Sequence, residues 1–412
     1  MLTHSSGILL LAVLSLVSFV LACWRWTVAA RFPLHRRATI SARLPGCTIL
    51  KPLRGCDSET KACLRSWLSQ DYPGPVQILF GVASTADPAC PLVRELLAEF
   101  PQADAHLVVC PEALSVNGKI SKLRQLEPLI LHPLVAISDA DVMVPPDFLA
   151  SVATTLGDAS VGLVNSFYRL ANPSTLAMRW EAIAINADFW ASVLQSASMR
   201  KVDFALGAVM ALRASQLREI GGFAALADYL ADDYHLGQQI FQSGKRIVFS
   251  AVAVECHEAP LRWAQVWSHQ LRWARTIRFC QPTLFFFSIV DNATLWPLLW
   301  LVACAPAVPA SVAGVCAFLF GFRIVSALDQ ERRLSRSAAH FRYFWLVPVK
   351  DLVNVAVWAM AFTGNHVLWR GVRYYVRAGG RLESVPELRN ALPPANGGAG
   401  ISPASSGGVP PP

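Results

Sequence analysis

No aspartate or glutamate occurs before Asp57, although Arg25, Arg31, Arg36, Arg37, Arg43, Lys51 and Arg54 fall in that stretch. A segment so one-sided in charge suits an anionic membrane surface better than nucleic acid. Charge is scarce throughout: 16% of the 412 residues are charged, against 54% hydrophobic. That balance points away from an ordinary soluble protein and toward a membrane protein with a soluble part. Ten cysteines are present, without a C-x-x-C pair or a Cys/His spacing for zinc. They read as reduced thiols in a cytosolic and membrane setting. Nucleic-acid motifs are missing too, as is any aromatic-plus-basic platform outside the membrane-flanking segments, so no nucleic-acid partner is expected. No Lys or Arg precedes the first apolar run, so the positive start of a cleaved signal peptide is lacking.

That run, Gly7 to Cys23, is charge-free and about the minimum length for a spanning helix. Val20-Leu-Ala-Cys23 loosely resembles a lipoprotein cleavage box, the competing reading. The basic cluster behind the run predicts the N-terminus outside and everything after Trp24 in the cytosol. Residues 1–24 are thus a transmembrane anchor and 25–282 a cytosolic domain, with an interfacial helix at about 260–282. Within that domain the candidate strands are Cys47–Leu50, Val76–Val82, Ala105–Val109, Leu134–Ile137, Val161–Leu163 and Ile247–Ala251. Candidate helices are Ser58–Ser69, Pro91–Phe100, Lys119–Ile130, Pro146–Leu156, Ser215–Ile220 and Tyr234–Ser243. Such alternation predicts an α/β domain with a mostly parallel sheet covered on both sides. Apolar stretches return at Leu284–Cys304, Val308–Phe322 and Phe344–Phe362, the last interrupted by Pro348, Lys350 and Asp351. If all three crossed, Arg370, Arg373, Arg377 and Arg381 would end outside, against the positive-inside rule. One is therefore expected to be re-entrant or interfacial, with Phe344–Phe362 the first candidate. Residues 283–366 form the C-terminal membrane part, 367–391 a basic juxtamembrane segment, and 392–412 a tail, charge-free and rich in Pro, Gly, Ser and Ala, expected to be disordered.

Chemistry concentrates in Val135-Ala-Ile-Ser-Asp139-Ala-Asp141-Val-Met-Val144, where a strand-like run ends in two carboxylates. At a strand's C-terminal edge, where open α/β sheets bind ligands, Asp139 and Asp141 can converge on one hard cation, Mg²⁺ or Mn²⁺, shared with a substrate phosphate. The alternative is that they cap a turn. Lys51-Pro52-Leu-Arg54-Gly55 leaves the first strand as a rigid basic loop suited to a phosphate or nucleotide, or is a surface loop. Asp87 follows the second strand, where it can meet a base or ribose hydroxyl or serve a turn. Asp232 and Asp233 open a helix; capping explains one acid better than two, and adjacent like charges raise one pKa as a general base requires. Ser268-His269-Gln270-Leu-Arg272-Trp273 reads as part of a basic amphipathic interfacial helix, and Arg also suits a diphosphate.

Taken in this order, Leu-Lys51-Pro52-Leu, Asp87, the Asp139 stretch, Asp232-Asp233-Tyr and Arg272-Trp273 resemble the ceramide glucosyltransferase family, glycosyltransferase family 21. The resemblance runs roughly from Gly7 to Leu382, Asn365-His-Val-Leu-Trp369-Arg370-Gly371 included. It implies an A-type nucleotide-diphospho-sugar glycosyltransferase domain, a Rossmann-like mixed sheet, with one N-terminal and two to three C-terminal membrane helices. It implies donor-side roles for Lys51, Pro52, Asp87 (uridine), Lys119, Asp139 and Asp141, the last two holding a divalent metal. It makes Asp233 the base, seconded by Asp232, and sets His269, Gln270, Arg272 and Trp273 on the diphosphate and acceptor side. The family signature has Gln or Arg where His269 stands, and the departure argues against cellulose- or hyaluronan-type synthases, which resemble the family but hold Gln there. The likeness is greater to the bacterial branch associated with hopanoid biosynthesis. The implied reaction is inverting transfer of N-acetylglucosamine or glucose from a UDP-sugar to a lipid hydroxyl, a hopanoid polyol first, at the inner membrane. Ceramide glucosylation and processive polysaccharide synthesis are the competing readings, and a non-catalytic scaffold is disfavoured by the intact acids. Oligomeric state is left open.

Overall fold

Eight strands build the central sheet: β1 (Cys47–Pro52), β2 (Val76–Val82), β3 (Asp104–Val109), β4 (Leu134–Ser138), β5 (Val142–Met143), β6 (Val161–Leu170), β7 (Val209–Arg213) and β8 (Arg246–Cys256). The computed structural model describes residues 2–37, 43–305, 307–369 and 372–384, so the predicted disordered tail and Arg370 lie outside the described residues. The strand order is β3-β2-β1-β4-β7-β6-β8-β5. β1 runs parallel to β2 and β4, β2 to β3, and β6 to β8; β7 is antiparallel to β4 and β6, and β5 to β8. The sheet is therefore mixed.

Burial on both faces explains the continuous apolar runs. In β1, Ile49 packs among Trp67, Phe80, Val93 and Phe148 on one side. Its neighbour Leu50 packs among Leu123, Leu126, Leu212 and Ile240 on the other. Helices Thr60–Leu68, Ala89–Glu99 and Phe148–Leu156 cover the first face; Gly118–Leu126, Ala214–Glu219 and Asp232–Gln242 cover the second.

Several elements differ from the predicted set. β7 has no predicted counterpart, and β6 continues past Leu163 to Leu170. Polar Asn165 and Ser166 break the apolar run there, but Asn165 is satisfied by accepting from Leu206 N–H at 3.2 Å and donating to the Val248 carbonyl at 3.4 Å. Residues Leu176–Met199 form a helix with a π-helical turn at Ala184–Phe189, also without a predicted counterpart. Where a basic juxtamembrane segment is predicted, β9 (His366–Trp369), β10 (Val372–Val376) and β11 (Leu382–Ser384) make a small antiparallel sheet. All ten cysteines are free thiols.

Two helices among the described residues are long and apolar enough to cross a membrane, Ser5–Arg31 and Ala310–Ser335. The pair Pro282–Asp291 and Leu295–Ala303, bent by 54°, is a third if it forms one span. Helix Leu346–Ala361, with 16 residues, is shorter than the roughly 20 a straight span takes. The Ala310 helix continues well beyond Phe322 because Arg323 is neutralised: it meets Asp351 and Asp188, each at 2.8 Å. Lys350 joins Asp351 at 3.0 Å and also reaches Asp188, so the Lys-Asp pair in the third apolar stretch has its partners.

Candidate active site

β4 ends at Ser138 and β5 begins at Val142, so Asp139 and Asp141 stand on the link at the strand's end rather than on one strand face. Lys51 braces this link from behind. Fully buried at the end of β1, its Nζ donates to Ser138 Oγ at 3.1 Å and to the Asp139 carbonyl. Burial pulls the lysine down to about 8, with Asp141 and Asp139 opposing. Lys51 thus lies behind the wall of the large cavity, while Pro52, Asp139 and Asp141 line it.

Opposite this link, Asp232 and Asp233 are the first residues of helix Asp232–Gln242. Lys119 Nζ lies 2.9 Å from Asp139 Oδ1 and 3.2 Å from Asp232 Oδ2, joining the two acidic motifs. Those carboxylates hold the lysine well above its usual value against burial. Asn117 caps the helix that carries Lys119, accepting from the Lys119 N–H, and donates to the Tyr229 carbonyl at 3.0 Å and Asp232 Oδ1 at 3.5 Å. Asp232 is therefore turned toward Lys119 and Asn117. Asp233 accepts from the Tyr234 N–H at 2.8 Å. Burial, then the charge of Asp232, pushes Asp233 up to about 6. Gly207 permits the approach: a Cβ there would stand 2.9 Å from Asp233 Oδ2.

The third wall is helix Trp263–Cys280, of which Ser268, His269, Arg272, Trp273 and Thr276 line the cavity. Arg275 and Arg278 instead donate to the His366 and Gly364 carbonyls. Gln270 is buried, does not itself line the cavity, and donates to Glu181 Oε1 at 2.9 Å. His269 Nδ1 bonds the same oxygen at 2.8 Å, and its ring lies 4.4 Å from that of Trp273.

Asp87 lines the cavity while its Oδ1 accepts from the Gly55 and Ala89 N–H groups, each at 2.9 Å, fixing a turn in which Gly55 takes φ 67°. Leu368 and Tyr374 of the small sheet also line the cavity. That sheet is tied down by Leu230 N–H to the Gly380 carbonyl, 3.0 Å, and Leu382 N–H to the Asp228 carbonyl, 2.7 Å. The enclosed space is about 1500 Å³, ample for a nucleotide-sugar and an acceptor head group.

Among the described residues no group of three or more His, Cys, Asp or Glu forms a ready-made metal cage. Two cavity-facing carboxylates, Asp139 and Asp141, are nevertheless the all-oxygen donor set that Mg²⁺ or Mn²⁺ takes when substrate phosphate and water complete the shell. The residues present fit such an ion.

Residues 9–382 match the family model described as glycosyl transferase family 21. The chain belongs to that family. It is a glycosyltransferase, of the hexosyltransferase kind. Two relatives from Caenorhabditis elegans are each 21% identical: ceramide glucosyltransferase 3, aligned over 86% of this chain and 77% of its own length, and ceramide glucosyltransferase 1, over 92% and 81%. A mannosyltransferase from Pyrobaculum calidifontis, solved in complex with GDP-Man and Mn²⁺, shares the fold with a TM-score of 0.50 and 20% identity, covering 84% of this chain and 99% of that one. The fold is the A-type glycosyltransferase fold.

Four cavity-lining carboxylates, Asp57, Glu112, Glu181 and Glu258, have no place in the motif-based site. Burial, aided by the charges of Asp141 and Glu181 and opposed by His269, pushes Glu258 up to about 7. Glu181 is a single acid in a mostly apolar helix, and its partner His269 lies 88 residues away, so local pattern carries no sign of it.

Proposed function

We propose that this membrane-bound enzyme transfers a hexose, N-acetylglucosamine or glucose, from a UDP-sugar to a lipid hydroxyl with inversion. The observation that carries the reading is Asp233, held near 6 on the wall of a cavity that also presents Arg272 and the Trp273 ring. A carboxylate of that value is ionised at neutral pH and still basic enough to draw a proton from a hydroxyl in flight. In this reading Asp233 takes the acceptor's proton as its oxygen attacks the anomeric carbon from the face opposite the leaving UDP. Asp232 and Lys119 hold the helix start in register with the Asp139 link. Arg272 grips the departing diphosphate and Asp87 meets the uridine. Asp139 and Asp141 would hold Mg²⁺ or Mn²⁺, which when bound supplies positive charge to the diphosphate. One base and no second nucleophilic carboxylate at the anomeric centre correspond to single displacement.

A lipid acceptor is supported by the wall helix itself. Its Ala274 packs with Phe285, Val357 and Ala361 of the apolar C-terminal helices, so the site stands beside the candidate membrane segments. The Arg-rich, acid-free region after Cys23 supports a cytosolic catalytic domain at the inner membrane, where UDP-sugars are found. The acceptor in this reading is a hopanoid polyol, bacteriohopanetetrol. A second reading, ceramide glucosylation, draws on the curated relatives, which are ceramide glucosyltransferases. The test is purified protein in lipid nanodiscs with radiolabelled UDP-N-acetylglucosamine or UDP-glucose and each lipid in turn, products identified by mass spectrometry. Transfer to the hopanoid polyol is expected; transfer to ceramide alone selects the second reading, and transfer to neither lipid sinks both.

A further inference from the structure

Glu181 and Glu258 have no part in the scheme above, yet both face the cavity. Glu181 is 1% exposed on helix Leu176–Ile183. Its Oε1 accepts from His269 Nδ1 and Gln270 Nε2, at 2.8 and 2.9 Å. Its Oε2 is buried with no hydrogen-bond partner among the described residues. A buried carboxylate oxygen without a donor is a costly arrangement unless something entering the cavity supplies one. Glu258 is held in place through its backbone, which exchanges bonds with the Asn172 side chain at 3.1 and 3.0 Å. Its raised value lets its carboxyl accept or donate at neutral pH. His269 lies beside both: it is bonded to Glu181, and its charge acts on Glu258. With Nδ1–H donated to Glu181, Nε2 is the ring nitrogen left for a further partner. Trp273 packs edge-on against His269, and Tyr168 and Phe189 pack against Trp273, so an aromatic cluster adjoins the polar pole.

We propose that Glu181, Glu258 and His269 form the acceptor head-group subsite of this transferase, built for a polyhydroxylated head group. Hydroxyls that do not react donate to Glu181 Oε2 and to Glu258, and the reacting hydroxyl is left for Asp233. A head group with one hydroxyl satisfies the base but leaves Glu181 Oε2 orphaned, so the subsite selects against it. This inference rests on the lipid-transferase reading and adds to it which acceptors are chosen.

The test uses full-length protein in detergent micelles with a UDP-sugar and two probe acceptors. One is a long-chain alcohol with a single terminal hydroxyl; the other is the same chain ending in four vicinal hydroxyls. The wild type should prefer the tetrol in kcat/KM by about tenfold or more, the scale of one hydrogen bond to a charged group. Glu181→Gln and Glu258→Gln should each lose most of that preference through a higher KM for the tetrol. The KM for the UDP-sugar should stay within about twofold, since interactions with the donor are untouched. Glu258 is less buried than Glu181, so Glu258→Gln decides the matter if Glu181→Gln does not accumulate. Retained preference in the variants, equal use of both probes by the wild type, or a parallel rise in the UDP-sugar KM each overturns the subsite while leaving the lipid-transferase reading standing. Transfer to neither probe by the wild type overturns the two together.

Discussion

Asparagine in place of Asp233 keeps the shape of the side chain and removes its capacity to take a proton. The wild-type carboxyl sits near 6, above its ordinary 3.8. At about pH 7.5 more than nine-tenths of it is ionised, and at about pH 5 roughly a tenth, so turnover should fall about tenfold across that interval. The Asn variant should lose about 10²–10⁴-fold at neutral pH, the usual contribution of a general base, and its residual rate should show no acid limb near 6. Stability runs the other way. A raised carboxyl favours the folded state below its ordinary value, and that contribution is lost as pH rises through the folded value. The loss is at most about 3 kcal/mol for a shift of this size. Asp233→Asn escapes it, so the variant should melt higher than wild type at about pH 8 and nearly together with it at about pH 4.

Initial rates with UDP-sugar across pH, and melting in the same buffers, read both effects. Asp232→Asn is the paired control. Asp232 is one of the charges that raise Asp233, so its removal should move the acid limb to lower pH while leaving turnover at neutral pH far above that of Asp233→Asn. An Asp233→Asn enzyme within tenfold of wild type, or one whose residual rate keeps the limb near 6, would show that the proton goes elsewhere. A dead Asp232→Asn with an active Asp233→Asn would exchange the two roles.

EDTA should abolish transfer and Mg²⁺ or Mn²⁺ restore it; full activity of Asp139→Ala in EDTA would remove the metal role from the Asp139 link. A topology reporter inserted near Asp57 should report a cytosolic position, and a periplasmic signal would reverse the orientation. Arg323→Leu leaves Asp188 and Asp351 with Lys350 as their remaining close cation, so folded protein recovered in detergent should drop with a destabilisation of about 3 kcal/mol, read by thermal aggregation.

The motif acids could be read from sequence because each lies where a strand or helix announces its own end. The apolar run before Asp139 stops at Pro145-Pro146, and Asp232-Asp233 begins a periodic helix; both signals are local. Glu181 gives no such signal, because its meaning depends on His269 and Gln270 arriving from a distant helix. The continuation of β6 past Leu163 escaped for a related reason: the polar Asn165 is tolerable in a strand because Leu206 and Val248 satisfy it, and both are remote in the chain. The three arginines at 272, 275 and 278 look alike in a basic amphipathic segment. Tertiary contacts separate them: Arg272 lines the cavity with Ser268, His269, Trp273 and Thr276, whereas Arg275 and Arg278, farther along the same helix, turn to the backbone around Gly364–His366.

Lys119 shows what the fold adds to a donor-side residue named from the resemblance. In sequence it is a cation at the start of a helix, given a donor-side role by the family resemblance alone. In the fold its Nζ lies within 3.2 Å of carboxylates from both acidic motifs, Asp139 on the link after β4 and Asp232 beside the proposed base. In the proposed scheme it would, through Asp139, moderate the charge offered to a donor diphosphate and to a metal held there. Through Asp232 it offsets the repulsion that raises Asp233, on which it also acts directly. A neutral residue at 119 therefore acts on the donor side and the acceptor side at once: it strengthens the negative field at the Asp139 link and pushes the base further up. In the proposed scheme the donor pole and the base are thus electrostatically one unit, and the buried cation between them sets the balance.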